Sequence, residues 1–140
     1  MNPVRELQTT AEFSAAFPVV RQLRPHLDEA GFLAAIATQR HEGYRLAAVF
    51  EEDEVRAVAG FRVQTMLAHG RFLYVDDLIT DHAHRSRQHG EALFAWLVTE
   101  ARATGCVRLQ LDSGVQRYAA HRFYFARRLV IQAYHFGMDL

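Results

Sequence analysis

The chain of 140 residues is 50% hydrophobic and 23% charged, which is the composition of a globular domain large enough to bury a core. Sixteen basic residues balance sixteen acidic ones, so neither nucleic acid nor an anionic membrane is an expected partner. The single cysteine, Cys106, excludes an intrachain disulfide. No apolar run is long enough to span a membrane, and no signal peptide is apparent. We therefore expect a cytoplasmic protein.

Hydrophobic periodicity and turn residues outline the elements. Thr9, with Glu12 three residues later, forms a capping box for a first helix, in which Pro18 predicts a kink or an early end. Asp28 caps a second helix, and the acidic run 51–54 predicts the turn of a hairpin. In chain order we predict a strand at 4–7, helices at 9–20 and 28–43, strands at 44–50, 55–67 and 72–80, a helix at 91–105, a strand at 107–111, a helix at 118–128 and one or two strands at 131–140.

This order of elements predicts the fold class. A meander of strands followed by a β-α-β crossover gives a mixed sheet with helices on both faces, an α/β fold. No linker, repeat or low-complexity stretch interrupts it, so residues 1–140 are interpreted as a single domain. In such sheets a ligand usually binds where the end of a strand meets the start of a helix.

The stretch from Asp76 to Phe94 combines a strand, a basic loop and the start of a helix. The N–H groups of the first helical turn and the positive end of the helix dipole make such a junction an anion site. Arg85 and Arg87 add guanidinium donors that suit phosphate oxygens. Because no Gly-Lys-Ser/Thr follows, the pattern is not that of a nucleotide P-loop.

Here the sequence resembles the GNAT superfamily of acyltransferases, whose motif Gln/Arg-x-x-Gly-x-Gly/Ala opens a helix and cradles the coenzyme A pyrophosphate. Residues 85–90, Arg-Ser-Arg-Gln-His-Gly, have the usual loop length and precede the expected Glu-Ala-Leu-Phe. A second register, residues 87–92, matches the motif by letter but changes the loop length by two residues, so the first is preferred. Gln88 then stands at the motif's first glycine, where a positive φ would cost roughly 1 kcal/mol.

A second match lies downstream. Residues 120–124, Ala-His-Arg-Phe-Tyr, fit the family's Ala-x-x-Phe/Leu-Tyr, with Arg128-Leu129 in place of the usual Gly-Phe. Together the matches cover residues 72–136. The resemblance implies a GNAT fold, acetyl-CoA as cosubstrate, a primary amine of a small molecule or peptide as acceptor, and frequent pairing as homodimers. It also implies coenzyme contacts from Leu78, Ile79, Thr80, Arg85, Ser86, Arg87, Gln88, His89, Gly90, Glu91, Ala92, Arg117 and Tyr124.

By the same resemblance, the strand around Ile79 diverges from the strand at 107–111, and the pantetheine lies in the gap. Backbone groups of Leu78 and Thr80 would bind it, and an N–H near Ile79 would polarise the thioester. Tyr124 is the candidate general acid, because a phenol with a pKa of about 10 is protonated at neutral pH.

Asp76 and Asp77 are the candidates for attracting or deprotonating the amine, and they suggest a cationic acceptor. Neighbouring residues of a strand face opposite ways, so only one of the two is expected in the cleft. The sequence leaves open which one. Burial among apolar neighbours would raise the pKa of that carboxyl.

Three alternatives compete with these interpretations. His82, His84 and His89 crowd one loop near Asp81, a set that can ligate a metal, but the anion-loop interpretation is preferred and no metal is expected. Gln88 and the missing Gly-Phe pair also permit a coenzyme-binding or ligand-sensing module that has lost turnover, or an interaction protein that keeps only the fold.

Overall fold

The computed structural model describes residues 3–85 and 88–140, which divide into two compact units, residues 1–110 and 111–140. The elements are β1 Val4–Glu6, α1 Thr10–Leu23, α2 Glu29–Arg40, β2 Arg45–Glu51, β3 Glu54–Met66, β4 Gly70–Thr80, a short 3₁₀ turn His82–His84, α3 His89–Ala103, β5 Arg108–Leu111 and α4 Tyr118–Ala126. None of the helices in these described ranges has the length and hydrophobicity needed to cross a membrane.

The predicted caps of the first two helices are confirmed. Thr9 and Glu12 form both halves of the capping box, and the Asp28 side chain accepts a hydrogen bond from the Gly31 N–H. Of the two alternatives given for Pro18, the early end of α1 is wrong, because the helix continues to Leu23. Proline costs a helix one backbone hydrogen bond, and burial of α1 against the sheet compensates for that loss.

The five strands form one mixed sheet, as predicted, in the spatial order β1-β2-β3-β4-β5. The first four strands are antiparallel. β5 runs parallel to β4, because the N–H of Val107, just before β5, donates to the carbonyl of Arg71 at the start of β4. β5 has only four residues, whereas β4 continues to Thr80.

Helices cover both faces of this sheet, also as predicted. Leu46, Ala48 and Val58 belong to the core that α1 and α2 form on one face. On the other face, Phe61 packs edge-to-face against Trp96 of α3 at 5.7 Å between ring centroids. Both faces of β2 are therefore buried, which explains its continuous apolar run.

The second unit contains α4 and an extended segment. α4 ends in a Schellman motif: the Arg128 N–H donates to the carbonyl of Phe125 and the Leu129 N–H to that of Tyr124. The predicted strands at 131–140 are wrong, since no strand is assigned to residues 129–140. A strand exists only when its backbone groups pair with another strand, and among the described residues none pairs with this segment.

Asp81 anchors the chain that leaves β4 to helix α1. Its carboxylate accepts hydrogen bonds from Gln22 Nε2 at 3.0 Å and the Ala83 N–H at 3.3 Å, and it contacts His84 Nδ1 at 2.8 Å. The Gln22 side-chain oxygen, Oε1, in turn accepts the His82 N–H at 2.9 Å. Although burial opposes them, the hydrogen bonds from Gln22, His84 and Ala83 lower the pKa of Asp81 to about 2.

This anchor predicts a pH-dependent loss of stability. A lowered pKa in the folded state stabilises the protein above about pH 4, and that stabilisation disappears as the pH falls from about 4 to about 2. Allowing for solvent screening, we expect the free energy of unfolding of wild type to fall by about 1 kcal/mol more across this window than that of Asp81→Asn. Urea denaturation at each pH measures it. Asp53→Asn, in the β2–β3 turn, is the control; parallel curves for Asp81→Asn and wild type would contradict the prediction.

Two residues adopt left-handed backbone where the two sequence motifs usually have glycine. Gln88, which precedes α3, has φ 64°, and Arg128 has φ 67°. A side chain in this region places its Cβ near the following carbonyl oxygen, whereas glycine has no Cβ. Gln88 therefore has the positive φ for which the sequence analysis gave an energetic cost.

Replacement by glycine at either position should stabilise the protein. Relief of strain exceeds the extra entropy of the unfolded chain, so we expect Gln88→Gly and Arg128→Gly each to raise the free energy of unfolding by roughly 0.5–1 kcal/mol. Alanine at the same positions keeps the Cβ and should give no such gain. Chemical denaturation compares the four variants, and equal effects of glycine and alanine would rule out backbone strain as the cause.

Candidate active site

A register shift in β4 organises the candidate site. Gly60 of β3 lies opposite Asp77, but Phe61 lies opposite Val75, so β4 has one more residue here than β3. That extra residue is Asp76. An insertion of this kind interrupts the strict alternation of side chains between the two faces of a sheet.

Because of this bulge, the expectation that Asp76 and Asp77 face opposite ways is wrong. Asp76 accepts two hydrogen bonds from the guanidinium of Arg62, at 3.1 Å to Nε and 2.7 Å to Nη2. The same guanidinium lies 5.4 Å from the ring centroid of Tyr44, whose hydroxyl donates to Asp77 Oδ2 at 2.7 Å. Both carboxylates thus belong to one cluster on the α1–α2 face.

Arg24, the C-cap of α1, completes this group. Its Nε donates to Asp77 Oδ1 at 3.0 Å, and its Nη2 donates to the Asp76 carbonyl at 3.3 Å. We call the five residues Arg24, Tyr44, Arg62, Asp76 and Asp77 the Tyr44 cluster. It contains two guanidinium groups and two carboxylates, so it carries no net charge while all four are ionised.

Gly60 makes room for the Tyr44 ring. A Cβ on Gly60 would overlap the hydroxyl and ring of Tyr44, so no other residue fits here while Tyr44 keeps its place. The tyrosine is itself buried, and burial together with the charges of Asp77 and Asp76 raises its pKa well above the ordinary value. Tyr44 therefore stays a neutral donor to Asp77.

The pKa of the Asp76 carboxyl is raised, as anticipated for an acid near apolar neighbours. Burial raises its pKa above the usual range, against the opposing effect of the Arg62 hydrogen bonds and charge, and the charge of Asp77 adds to the rise. Asp77 differs in its contacts: Arg24 occupies one of its oxygens and Tyr44 the other.

Beyond the bulge, the pairing of β4 with β3 decides where backbone groups point. The Asp81 N–H donates to the carbonyl of Arg56 on β3 at 2.8 Å. Since hydrogen-bonded positions alternate along an antiparallel pair, Ile79 also directs its N–H and carbonyl toward β3. Leu78 and Thr80 direct theirs the other way, toward the side of the sheet on which β5 lies.

The basic loop and helix α3 follow directly. Arg85 is exposed at the end of the 3₁₀ turn, whereas Ser86 and Arg87 lie outside the described residues. Gln88 is the N-cap, and the first intrahelical bond runs from the Ala92 N–H to the Gln88 carbonyl. The first turn of α3 therefore contains His89, Gly90 and Glu91.

The His89 side chain is buried, so it does not reach an anion bound at the surface. Its residue is 1% exposed, and its Nε2 lies 3.9 Å from Glu51 Oε2 of β2. Any contribution of His89 to the predicted coenzyme site can come only from its backbone. In the parts of the chain that the structure describes, no group of three or more His, Cys, Asp or Glu residues is arranged to hold a metal ion.

The remaining predicted residues lie in the second unit. Tyr124 is buried in α4, and Arg117 is the residue before this helix. Burial raises the pKa of the Tyr124 phenol, although Arg117 opposes the rise. The phenol is therefore protonated at neutral pH.

Sequence reasoning missed Arg24, Tyr44, Gly60 and Arg62. Arg24 is 53 residues from Asp77 along the chain and Tyr44 is 33, so no local spacing pattern could connect them. A separate cavity of about 240 Å³, lined partly by Phe13, Arg40 and Leu46, contains none of the predicted site residues.

Comparison with known proteins supplies the family. The model of the acetyltransferase (GNAT) family matches residues 6–129. The uncharacterized N-acetyltransferase YhdJ of Bacillus subtilis is 32% identical over 122 residues, which cover 86% of each chain. An aminoalkylphosphonate N-acetyltransferase of Salmonella typhimurium is 30% identical over 129 residues, covering 87% of this chain and 82% of that protein.

Solved structures agree on the fold. An aminoglycoside N-acetyltransferase, AAC(6')-Iy, determined in complex with CoA, superposes with a TM-score of 0.86 at 10% identity and covers 100% of this chain and 95% of its own. At that identity the likeness concerns the fold alone. Taken with the family match over residues 6–129, it identifies the chain as a member of the acetyltransferase (GNAT) family.

Proposed function

We propose that this N-acetyltransferase uses acetyl-CoA and a primary amine of a small molecule or peptide, with direct attack of the amine on the thioester. The observation that carries the proposal is the direction of the Leu78 and Thr80 backbone groups, away from β3 and next to the basic loop that opens α3. An extended amide-containing chain can pair with such a strand as another strand would.

The residues around this strand fit coenzyme A. Its pantetheine arm contains amides that match the backbone donors and acceptors of Leu78 and Thr80, and its pyrophosphate is an anion suited to the first turn of α3. Arg85 is exposed at the end of the 3₁₀ turn, three residues before Gln88, and can contribute a guanidinium. Acetyl-CoA supplies the activated acetyl group as a thioester.

Polarisation of the thioester carbonyl is assigned to an N–H that points away from β3. The Ile79 N–H points toward β3, so the Leu78 N–H is the better candidate. A backbone donor held by a sheet is rigid, and a rigid donor stabilises developing negative charge without reorganisation. This assignment refines the expectation of an N–H near Ile79.

Formation of the C–N bond and cleavage of the C–S bond release one proton at nitrogen and require one at sulfur. We assign acceptance of the first to Asp76, whose pKa burial raises above the ordinary carboxyl value, with Asp77 holding Tyr44 and Arg24 in position. Tyr124 is assigned to donate the second, since its phenol remains protonated.

The acceptor is not expected to be selected by negative charge in the Tyr44 cluster. Arg24 and Arg62 neutralise the two carboxylates, which removes the basis for expecting a cationic acceptor. The Salmonella relative acts on an aminoalkylphosphonate by name, so that class belongs in any panel of acceptors.

We place the reaction in the cytoplasm, where Cys106 would stay reduced.

The proposal is tested by binding and then by turnover. Acetyl-CoA at about 1 mM should raise the melting temperature by several degrees, because a ligand that binds only the folded state stabilises it. Incubation with a panel of primary amines should yield an N-acetyl product detected by mass spectrometry, a readout that Cys106 does not disturb. Absence of a melting shift would contradict the proposal; a shift without product from any amine would favour a coenzyme-binding module without turnover.

Replacement of Arg85 tests the proposed contact with the pyrophosphate of acetyl-CoA. Arg85→Ala should raise the KM for acetyl-CoA by roughly 10-fold with a smaller change in kcat, as expected for loss of a charge-assisted contact. Arg102→Ala, near the opposite end of α3, is the control and should leave KM within about twofold. Equal KM values for both variants would remove Arg85 from the pyrophosphate site.

Tyr124→Phe tests the general acid. Loss of the phenolic proton should lower kcat by about 100-fold or more, while the dissociation constant of acetyl-CoA changes by less than about threefold. Tyr118→Phe removes the same hydroxyl from an exposed position of the same helix and should have no effect. Unchanged turnover of Tyr124→Phe would remove Tyr124 from the acid role.

A further inference from the structure

Arg24 is the charged side chain of the Tyr44 cluster that solvent reaches most easily. It is 41% exposed, whereas the other three charged side chains of the cluster are 15–20% exposed. Its Nε and Nη2 contact acceptors inside the cluster, but within the described part of the chain no acceptor contacts its Nη1. A guanidinium has five N–H donors, so the two donors on Nη1 stay available to a bound molecule.

We infer that Arg24 binds an anionic group of the acceptor, and that the acceptor is therefore a short aminoalkyl acid. The carboxylate or phosphonate of this molecule contacts Nη1 of Arg24, and its amine lies beside Asp76. Guanidinium groups pair with such oxyanions through charge-assisted hydrogen bonds, which are roughly twice as strong as neutral ones. The inference rests on the proposed function, because it names the acceptor class of that same site.

The bulge in β4 holds the Arg24 guanidinium next to the proposed base. A bulge leaves its inserted residue without a partner in the strand pairing, and Arg24 Nη2 donates to the carbonyl of that residue, Asp76, at 3.3 Å. The charge of Arg24 also acts on the Asp76 carboxyl, since it lowers the pKa that burial raises. The anion-binding group and the proton acceptor therefore belong to one short stretch of the site.

The guanidinium is held in place before any ligand binds. The Arg24 N–H donates to the carbonyl of Val20 at 3.0 Å, and the Arg24 carbonyl accepts the Leu27 N–H at 3.1 Å, so the backbone is fixed on both sides. Asp77 Oδ1 accepts from Nε at 3.0 Å and orients the planar group. A preordered side chain loses little conformational entropy when it binds an anion, which favours binding.

Charge balance favours an acceptor that carries both signs. The Tyr44 cluster has two guanidinium groups and two carboxylates, and these charges compensate one another. A protonated amine alone would add an uncompensated positive charge to this partly buried group, which is costly. A molecule with one ammonium and one anionic group adds no net charge, and it places each charge beside its opposite.

The spacing along β4 indicates a short molecule. The backbone of Leu78, whose N–H is assigned to the thioester, is two residues from Asp76, or about 7 Å along a strand. An amine that attacks the thioester there and gives its proton to Asp76 lies within that distance. Because Arg24 contacts the Asp76 backbone, a spacer of a few carbons joins such an amine to an anion at Nη1.

Three small amines test the inference by steady-state kinetics with acetyl-CoA. β-Alanine and 2-aminoethylphosphonate carry the two anions, and β-alaninamide has the same amine and spacer without a negative charge. For wild type, kcat/KM for at least one of the acids should exceed that for the amide by about 10-fold or more, as expected for a charge-assisted contact. The ratio between the two acids then shows which anion the site prefers.

Replacement of Arg24 should remove this preference. Arg24→Gln should reduce the acid-to-amide ratio of kcat/KM to within about threefold of unity, and Arg24→Lys, which keeps a charge without the planar group, should retain part of it. Arg21→Gln is the matched control, because Arg21 lies one turn earlier on α1 over the Phe17 ring and should keep the wild-type ratio. A purely structural role of Arg24 would lower kcat/KM for all three amines by the same factor.

Calorimetry separates failure of this inference from failure of the proposed function. Titration of each acid into the protein saturated with CoA measures binding without turnover. Binding that Arg24→Gln weakens by about 10-fold or more, without acetylation of any amine, would support the acceptor site and contradict the proposed acetyl transfer.

Three results would overturn the inference. The first is acetylation of β-alaninamide as efficiently as both acids by wild type, and the second is an equal loss for all three amines in Arg24→Gln. The third is that wild type neither binds nor acetylates either acid. The first two results would leave the proposed transfer to a primary amine intact.

Discussion

The pairing of β3 with β4 holds one extra residue, and the candidate site depends on this irregularity. Without the insertion of Asp76, the register would carry Asp76 and Asp77 to opposite faces of the sheet. With it, both carboxylates join the Tyr44 cluster, and β4 continues to Thr80 in a register that directs the Leu78 and Thr80 backbone away from β3. One inserted residue thereby arranges side-chain acids and backbone donors together.

Steric fit keeps the Tyr44 cluster in place. Tyr44 occupies the space above Gly60, and its hydroxyl and the Arg24 guanidinium each take one oxygen of Asp77. Buried charges are tolerated when they are paired and hydrogen-bonded, and these contacts meet that requirement. Arg24 also joins the end of α1 to β4, since its guanidinium contacts both the Asp77 carboxylate and the Asp76 carbonyl.

Much of the fold was predictable because local rules and burial agree. Thr9 and Asp28 cap helices as their side chains allow, and the continuous apolar runs of β2 and of the first half of β3 correspond to two buried faces. The segment 131–140 also has a strand pattern, yet a pattern cannot supply the second strand that pairing requires. Pro18 is a similar case, since packing of α1 overrides a local helix breaker.

The sequence by itself determined the junction of strand, loop and helix that leads into α3, the two motifs, the caps of α1 and α2 and the order of elements as far as α4. These depend on neighbours within a few residues, where side-chain type and backbone preference act directly. Only the tertiary structure decided that Asp76 and Asp77 share one cluster, that arginines neutralise both, and that the His89 side chain is buried. Those facts rest on contacts such as Arg24 with Asp77, 53 residues apart, and on one inserted residue in a strand pair, which no local pattern encodes.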